Sequence, residues 1–246
     1  MKLPSPFHAA GDHIAIELPG ARALFTTRRG GVSRGPFESL NLGRLTDDDP
    51  SAVDVNRSRV ADAAGVRLVY GRQVHGTRVC RVGEAPVAGA DPIESDGQAT
   101  ALRGLGPMVF TADCLPIAIA TSGAVTMVHA GWRGLADGVI AEGVAAIREL
   151  DGGAEPVAAA IGPGAGPCCY ETGPEVHARF ERFGAGARNR ANLDMKAIAR
   201  AQLREAGVGE IHDAGLCTIC SDPSLFFSHR RDRGITGRQV GVAWLS

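Results

Sequence analysis

The chain places one cysteine and two histidines beside its most strand-like segments. His75 lies in RQVHG, between a β-like run and a glycine, and His129 lies in a similar setting in VHAGWRG. Cys114 follows TAD and opens the apolar run LPIAIA. Side chains at strand ends often face the clefts in which α/β proteins bind ligands. We therefore expect each of the three where a strand meets a loop.

Two kinds of chemistry suit this set. A catalytic Zn²⁺ keeps three protein ligands, and one cysteine with two histidines supplies them. Alternatively, Cys114 is a nucleophile and His129 its base, with Asp113 nearby, although adjacent strand residues point to opposite faces. Asp113 could equally anchor a loop by hydrogen bonds. Spacing alone favours a buried cysteine and two structurally satisfied histidines, because the three positions form no local signature.

Arginines close to these motifs indicate an anion site. In HAGWRG, a glycine-containing turn leads into a helix that starts near Gly134, where free backbone N–H groups and Arg133 could hold phosphate. An exposed arginine at a helix start is also common. The segment FFSHRRDRGITGR is either a solvated basic turn or a second arm of that site. Its arginines are Arg230, Arg231, Arg233 and Arg238.

Four further cysteines form two close pairs, Cys168 with Cys169 and Cys217 with Cys220. Together they could in principle make a structural Cys₄ zinc site. The adjacent pair disfavours this, because it lacks the usual gap of two to four residues and an extended backbone would point its side chains apart. A thioredoxin-like role for CTIC is disfavoured too, since no helix starts at its second cysteine.

The elements that must position these residues follow from periodicity and capping signals. Asp49, Pro50 and Gly65 mark the start and end of one helix. Other helices are expected in GLADGVIAEGVAAIREL, EVHARFERF and DMKAIARAQLREAG. Strands are expected in HIAIEL, ALFTTR, both arms of RLVYGRQVHGTRVCRV, PMVFTADCLPIAIA, AVTMVHA, VAAAIGPG and GRQVGVAWL. This predicts an α/β (α+β) fold with mixed β-sheets and flanking helices, in a single domain spanning residues 1–246.

Composition limits the partner classes. The 246 residues are 44% hydrophobic and 22% charged, which is typical of a globular protein. Lysine and arginine total 26 against 27 acidic residues, so we expect neither nucleic acid nor a membrane surface as a partner. Without a signal-like start or a long apolar run, we expect a cytoplasmic protein whose six cysteines remain thiols.

Several motifs in register carry a family resemblance. RQVHG, TADCLPI, HAGWRG, IGPGAGPCCYE and FFSHRRDRGITGR resemble the laccase-domain family, also described as polyphenol oxidases, purine nucleoside phosphorylases and peptidoglycan editing factors. TTRRGGVSRGPFESLNLG and DDPSAVDVNR match as well. The resemblance implies a toxin-like cysteine-hydrolase type of fold and a metal site formed by His75, Cys114 and His129. It thereby reverses the interpretation that spacing alone favours.

The resemblance also implies an activity. This is phosphorolysis of adenosine, inosine, guanosine and methylthioadenosine, with hydrolytic deamination of adenosine beside it. A multicopper oxidase needs many histidines, often in His-x-His pairs, and seven histidines without such a pair cannot supply them. A single copper bound also by Met127, on the strand face of His129, is less favoured than a water-activating zinc ion. The chain lacks the His-x-Glu and Pro-Cys-x-x-Cys motifs of the known zinc deaminases.

Residue roles follow from the matching motifs. We assign catalysis to Cys114, His129 and Arg133, and metal binding to His75, Cys114 and His129. Candidates for binding the purine nucleoside and phosphate are Asn41, Arg57, Gln73, Arg133 and Arg231. We expect a monomer. The alternatives are a thiol-dependent hydrolase or amidase that edits peptidoglycan precursors, a copper-dependent polyphenol oxidase, and a protein that binds a partner without catalysis.

Overall fold

The computed structural model describes residues 2–84, 91–153 and 156–246. Its strands are β1 (His8–Ala10), β2 (His13–Leu18), β3 (Ala21–Phe25), β4 (Arg67–Val69), β5 (Val79–Arg81), β6 (Gly97–Thr100), β7 (Leu105–Thr111), β8 (Leu115–Ala120), β9 (Val125–Ala130), β10 (Ala158–Ile161), β11 (Arg188–Asn189), β12 (Asn192–Leu193), β13 (Glu210–Asp213) and β14 (Gln239–Leu245). Its α-helices are α1 (Pro50–Ala64), α2 (Trp132–Asp137), α3 (Val139–Leu150), α4 (Pro174–Ala178) and α5 (Met195–Glu205). Short 3₁₀ segments occupy Gly35–Phe37 and Glu181–Ala187. Within the described ranges, no helix is long and apolar enough to cross a membrane.

Two six-stranded sheets organise the molecule. The strand order is β1-β2-β3-β14-β7-β4 in the first sheet and β13-β10-β8-β9-β6-β5 in the second. Both sheets are mixed. In the first, β4 runs parallel to β7; in the second, β10 runs parallel to β13 and β6 runs parallel to β5. The remaining neighbouring pairs are antiparallel. The predicted α/β class with mixed sheets and flanking helices is therefore confirmed.

Side-chain alternation along the central strands builds four layers. In β8, Ile117 and Ile119 pack towards α3 and α5, while Ala118 and Ala120 pack against the first sheet. On the outer face of the first sheet, Val60 of α1 packs with β14. Because both faces of these strands are buried, their sequences are continuous apolar runs rather than alternating ones. The layers are therefore α1, the first sheet, the second sheet, and the helices α3 and α5. A hydrophobic core lies on each side of both sheets.

The capping signals of the first helix are confirmed. The Asp49 carboxylate accepts a hydrogen bond from the backbone N–H of Ser51 at 2.9 Å, and Pro50 is the first helical residue. Gly65 ends the helix at φ 66°, a left-handed conformation that glycine adopts without strain. Residues at the two ends, Asp49 with Pro50 and Gly65, thus mark the limits of this helix.

Other predicted elements differ from the structure in detail. The segment expected as one helix begins at Trp132 rather than near Gly134, and Gly138 (φ 102°) divides it into α2 and α3. EVHARFERF is α-helical only within α4 and continues as a 3₁₀ segment. The buried strand β6 was missed because its sequence, GQAT, contains small and polar residues without an apolar pattern.

Candidate metal centre

The strand ladder brings Cys114 and His129 together. Cys114 immediately precedes β8, and His129 lies near the end of β9, opposite Pro116 of β8. Both positions confirm the expectation of a strand meeting a loop. For His75 that expectation was wrong, since it lies in the loop between β4 and β5 with a positive φ of 61°. The chain bends at His75 itself, and its imidazole lies beside the other two side chains.

The three predicted ligands converge on one point. A nitrogen of each histidine and the Cys114 sulfur all lie within 4.8 Å of one another. The Cys114 Sγ atom is 3.9 Å from His75 Nε2, and the two imidazole rings meet edge to face with centroids 4.9 Å apart. His129 is buried, Cys114 half-buried and His75 exposed. This three-ligand site is therefore open to solvent on the His75 side.

A buried carboxylate holds the ring of one histidine and the backbone of the other. Asp96 is fully buried and accepts a hydrogen bond from His129 Nδ1 at 2.8 Å. It also accepts the backbone N–H groups of Val74, His75 and Gly76 at 2.8–3.1 Å. A metal-binding histidine commonly donates its second ring nitrogen to such a carboxylate. Sequence reasoning missed Asp96, and the only signal was an aspartate directly before a strand.

Electrostatics favours an ionised cysteine beside a protonated histidine. Burial alone raises the pKa of Asp96, but hydrogen bonds from His129 and the backbone lower it overall. Burial likewise raises the pKa of Cys114, yet the charge and hydrogen bonds of His129 and His75 lower it overall. For His129, burial lowers the pKa, while the Cys114 thiolate and Asp96 raise it more strongly. Asp96 thus stays ionised and accepts the Nδ1 proton in a hydrogen bond, and without an ion Cys114 and His129 form a thiolate–imidazolium pair. An ion that binds at His129 Nε2 must displace the second ring proton.

These residues fit a metal ion. Two imidazole nitrogens and one thiolate are borderline to soft donors, as zinc and copper both prefer, and three protein ligands leave one position open. The Met127 thioether, considered above as a further copper ligand, is fully buried and packs in the core between the two sheets. The donor set therefore consists of His75, Cys114 and His129.

Comparison with known proteins assigns the family. The profile described as "Multi-copper polyphenol oxidoreductase laccase" matches residues 22–246. The chain belongs to this laccase family. Named relatives include a purine nucleoside phosphorylase of Xylella fastidiosa, 42% identical over 92% of this chain and 93% of that protein. Another is a purine nucleoside phosphorylase of Corynebacterium glutamicum, 39% identical over 91% of this chain and 94% of the relative.

Solved structures of the laccase family share the fold. YlmD from Geobacillus stearothermophilus superposes with a TM-score of 0.88 at 34% identity, covering 98% of this chain and 99% of that one. The Neisseria meningitidis protein NMB0706 gives a TM-score of 0.85 at 34% identity, covering 96% and 100% of the two chains. The two mixed sheets described above are thus those of this family.

Asp113 anchors the loop that presents Cys114. Its carboxylate accepts hydrogen bonds from the Thr218 hydroxyl at 2.6 Å and from the Arg230 backbone N–H at 2.7 Å. Of the two roles considered for Asp113, the structure shows the loop anchor, and Asp96 is the carboxylate that partners His129. The Arg230 contact also attaches the C-terminal arginine turn to the metal loop.

The charge of Cys114 acts on a phenolic and a basic side chain in this laccase-family site, Tyr170 and Arg238. The pKa of Tyr170 is raised to about 12, first by burial and then by the charge of Cys114, with Arg230 and Arg133 acting in the opposite direction. The Arg230 guanidinium lies 5.2 Å from the Tyr170 ring centroid. Burial lowers the pKa of Arg238, and the charge of Cys114 partly offsets this. These groups are therefore within electrostatic range of the three-ligand site.

Arg133 follows the predicted turn but is exposed. Its guanidinium lies 4.4 Å from the ring of Trp132, the first residue of α2. With six residues, α2 is a short helix, so the side chain rather than the helix terminus provides most of the positive charge. The catalytic role assigned to Arg133 stays a prediction.

Two predicted substrate ligands are engaged in intramolecular hydrogen bonds. Asn41 is fully buried, and both amide hydrogens and both acceptor positions of its oxygen have neighbouring partners. Gln73 pairs with the backbone N–H and C=O groups of Phe110 at 2.7 and 2.8 Å. These contacts give both residues a structural role, and substrate binding by either stays a prediction.

Two predicted arginine ligands are similarly engaged. The Arg57 guanidinium stacks over the rings of Tyr70 and Phe110, 4.6 and 4.9 Å from their centroids. Arg231 donates to the Asp232 carboxylate and to two backbone carbonyls. Both guanidinium groups thus stabilise loops around the site. Arg230, in the same turn as Arg231, acts on the pKa of Tyr170 through its charge, as Arg133 does.

The four remaining motif cysteines form a second group. The sulfur atoms of Cys168, Cys169, Cys217 and Cys220 all lie within 4.8 Å of one another. The expectation that the adjacent pair would point apart was wrong, because the chain turns at 167–169 instead of running extended. Both thiols of the pair therefore reach the same point. We refer to this group as the four-cysteine cluster.

Proposed function

We propose that the protein is a zinc-dependent purine nucleoside phosphorylase that also deaminates adenosine. One observation carries the proposal: three metal ligands converge within 4.8 Å at a site that is open on one side. Support comes from relatives named purine nucleoside phosphorylase at 42% and 39% identity. The substrates would be purine nucleosides and phosphate, and we expect the enzyme to act in the cytoplasm as a monomer.

The protein residues hold and tune this centre. His75, Cys114 and His129 would bind Zn²⁺, which when bound supplies Lewis-acid chemistry at its open position. Asp96 fixes the orientation of His129 and the backbone of the His75 loop through its four hydrogen bonds. Removal of such a partner typically costs 10- to 100-fold in metal affinity. Asp96 is accordingly a positioning residue.

The surrounding cations suit the phosphate substrate. In phosphorolysis the glycosidic C–N bond breaks, a phosphate oxygen bonds to the anomeric carbon, and the purine leaves with a proton. Arg133, Arg230 and Arg238 would neutralise phosphate and hold it against the sugar. A tyrosine hydroxyl is protonated at neutral pH even without a shift, and burial raises the pKa of Tyr170 further, to about 12. The hydroxyl can therefore donate a hydrogen bond to the leaving base.

Product analysis with and without phosphate tests the proposal. Purified protein is given adenosine or inosine, and the products are separated by chromatography. Phosphorolysis releases base and ribose 1-phosphate only when phosphate is present, whereas deamination converts adenosine into inosine in either buffer. The Cys114→Ala variant should lose both activities together with the metal of the three-ligand site.

Cys80→Ser provides the matched control. Cys80 is a half-buried cysteine of β5 outside both groups of metal ligands, so its replacement should leave turnover and metal content unchanged. Absence of base, ribose 1-phosphate and inosine from the metal-loaded wild type would refute the activity. Full activity in Cys114→Ala would refute the assigned site.

The same geometry supports a second candidate, a thiol-dependent hydrolase. The site resembles a catalytic triad, with Cys114 as the nucleophile, His129 as the base and Asp96 as the orienting carboxylate. Cys114 interacts with His129, and Asp96 accepts a hydrogen bond from His129 Nδ1 at 2.8 Å. A hydrolase or amidase acting on peptidoglycan precursors would use this triad without a metal. The triad and the metal site share Cys114, so the two functions exclude each other in a given molecule.

Alkylation of Cys114 distinguishes them. A zinc-bound thiolate should be protected from iodoacetamide until a chelator removes the ion, whereas a metal-free catalytic thiolate should react at once. Peptide mass spectrometry locates the label, with Cys80 as the internal reference. Rapid labelling of Cys114 before chelation, with no change afterwards, would favour the hydrolase.

A further inference from the structure

The four-cysteine cluster lies apart from the three metal ligands in the sequence and shares no residue with them. We propose that Cys168, Cys169, Cys217 and Cys220 bind a second zinc ion, which is structural rather than catalytic. Four thiolates complete a tetrahedral shell and leave no position for substrate. This assignment concerns stability and loop position, so it stands independently of the phosphorylase activity.

The sulfur spacing fits one ion. Zn–S bonds of about 2.3 Å at tetrahedral angles place sulfur atoms about 3.8 Å apart. In the structure all four sulfurs lie within 4.8 Å of one another, and Cys168 and Cys220 are 3.4 Å apart. Ligands of a polynuclear iron–sulfur cluster bind different iron atoms and need wider separations. A single tetrahedral ion is thus the species that these distances accommodate.

Backbone hydrogen bonds pre-form the cluster from two loops. The segments around Gly164 and Cys217 pair as a short parallel bridge, in which the Thr218 N–H donates to the Gly164 carbonyl at 3.2 Å. The Gly166 N–H donates to the Cys217 sulfur at 3.3 Å. An N–H group directed at sulfur stabilises a negatively charged ligand. These contacts bring CC and CTIC together although the chain separates them widely.

An ion can enter from solvent. Cys168 and Cys220 are exposed, and Cys168 lines an open surface depression of about 450 Å³ together with Arg190. On binding, the four thiols release their protons to water and four Zn–S bonds form, with no electron transferred. The zinc ion with its four thiolates has a net charge of minus two, which the Gly166 N–H and the Arg190 side chain partly offset. Access, charge and ligand number are therefore consistent with a loaded site.

The cluster is connected to the three-ligand site through Thr218. Thr218 follows Cys217 and is fully buried, and its hydroxyl donates to Asp113 at 2.6 Å. Asp113 in turn precedes Cys114. An ion that fixes the 217–220 loop thus also fixes the anchor of the Cys114 loop. We expect loss of the cluster ion to loosen this anchor without removing any ligand of the first ion.

Metal counting on separate variants tests the proposal. Wild-type protein, purified with a reductant and loaded with Zn²⁺, should contain about two ions per chain by elemental analysis, one for each ligand group. Cys168→Ser and Cys220→Ser each change an exposed cysteine and should retain about one ion. His129→Ala should also retain about one, the doubly substituted His129→Ala, Cys220→Ser protein about none, and Cys80→Ser about two.

Cobalt spectroscopy gives an independent readout. In His129→Ala, Co²⁺ alone should produce thiolate charge-transfer bands and the intense visible bands of a tetrahedral CoS₄ centre. Adding Cys220→Ser should weaken these bands severalfold and shift them, because a thiolate is lost. This measurement does not depend on enzyme turnover, so it can succeed even if the phosphorylase assay fails.

Two results would overturn the assignment. One is an unchanged ion count in both Cys168→Ser and Cys220→Ser relative to wild type. The other is a Cys168–Cys220 disulfide, detected by non-reducing peptide mass spectrometry, in protein kept under reductant with Zn²⁺. If a serine variant is recovered in poor yield, the cobalt spectrum of His129→Ala still tests the proposal, because its four-cysteine cluster is intact. The bands of a CoS₄ centre would support a four-thiolate site, and their absence would refute it.

Discussion

The three-ligand site and the four-cysteine cluster are built by opposite means. The first takes Cys114 and His129 from the ends of neighbouring strands, supports them with the buried Asp96, and is open beside the exposed His75. The second takes all its ligands from two loops held by backbone pairing and encloses one point with four sulfurs. An open position suits catalysis, and a complete sulfur shell suits structure.

The contrast shows that ligand type alone does not decide a site's role. Both groups contain cysteine, but among the described residues only the first includes histidines, one of which is held by a buried carboxylate. Only the second offers four protein ligands, so a bound ion there needs no substrate or water to complete its coordination. Each of the following predictions tests one side of this comparison.

The largest effect is expected from removing a ligand of the open site. His129→Ala should reduce turnover at least about 100-fold, because loss of a direct ligand should exceed the 10- to 100-fold cost of losing an outer hydrogen-bond partner. Chromatographic assay of adenosine products measures this, and the four-cysteine cluster should keep its ion. Near-normal turnover in His129→Ala would mean that catalysis does not use the three-ligand site.

Asp96→Asn should weaken the same site without removing a ligand. The amide retains the shape but loses the charge that holds His129 and three backbone N–H groups, so metal affinity should fall roughly 10- to 100-fold. Competition with a fluorescent zinc chelator measures the affinity. Asp137→Asn, which changes an exposed ion pair with Arg179, is the control and should have no effect. Equal affinities in both variants would show that Asp96 is not a positioning residue.

Arg230→Ala should affect phosphate more than nucleoside. A lost hydrogen bond between charged groups is worth about 1.5–3 kcal/mol, so KM for phosphate should rise roughly tenfold or more while the ion count remains unchanged. Steady-state kinetics with varied phosphate measures this. Arg103→Ala, an exposed arginine between β6 and β7, is the matched control. An equal rise in both variants would indicate a general charge effect instead of a phosphate site.

The smallest effect is expected far from both metal groups. Asp49→Ala removes the N-cap of α1 and should destabilise the fold by about 1 kcal/mol, lowering the melting temperature by about 2–4 °C. Differential scanning fluorimetry measures the shift, and elemental analysis should still find both ions. Loss of an ion from this variant would show that metal binding depends on the stability of the whole fold. The two sites could then not be distinguished by their local ligands.

Much of the local structure was predictable from sequence because its causes are local. The α1 caps and the buried strands β8 and β9 required only capping chemistry and apolar runs. Elements without a local signature were not predictable. β6 is buried although its residues are small and polar, and its place depends on pairing with β9 and β5. The carboxylate that precedes it was missed for the same reason.

The sequence by itself determined the mixed α/β class, the first helix with both of its ends, and the three candidate ligands His75, Cys114 and His129. These depend on residue type, periodicity and motif resemblance, which are properties of short segments. Only the tertiary structure decided that Asp96 partners His129, that Asp113 anchors a loop, and that four cysteines from two distant loops meet. Contacts between distant segments are set by sheet pairing and turn geometry, and no spacing along the chain encodes them.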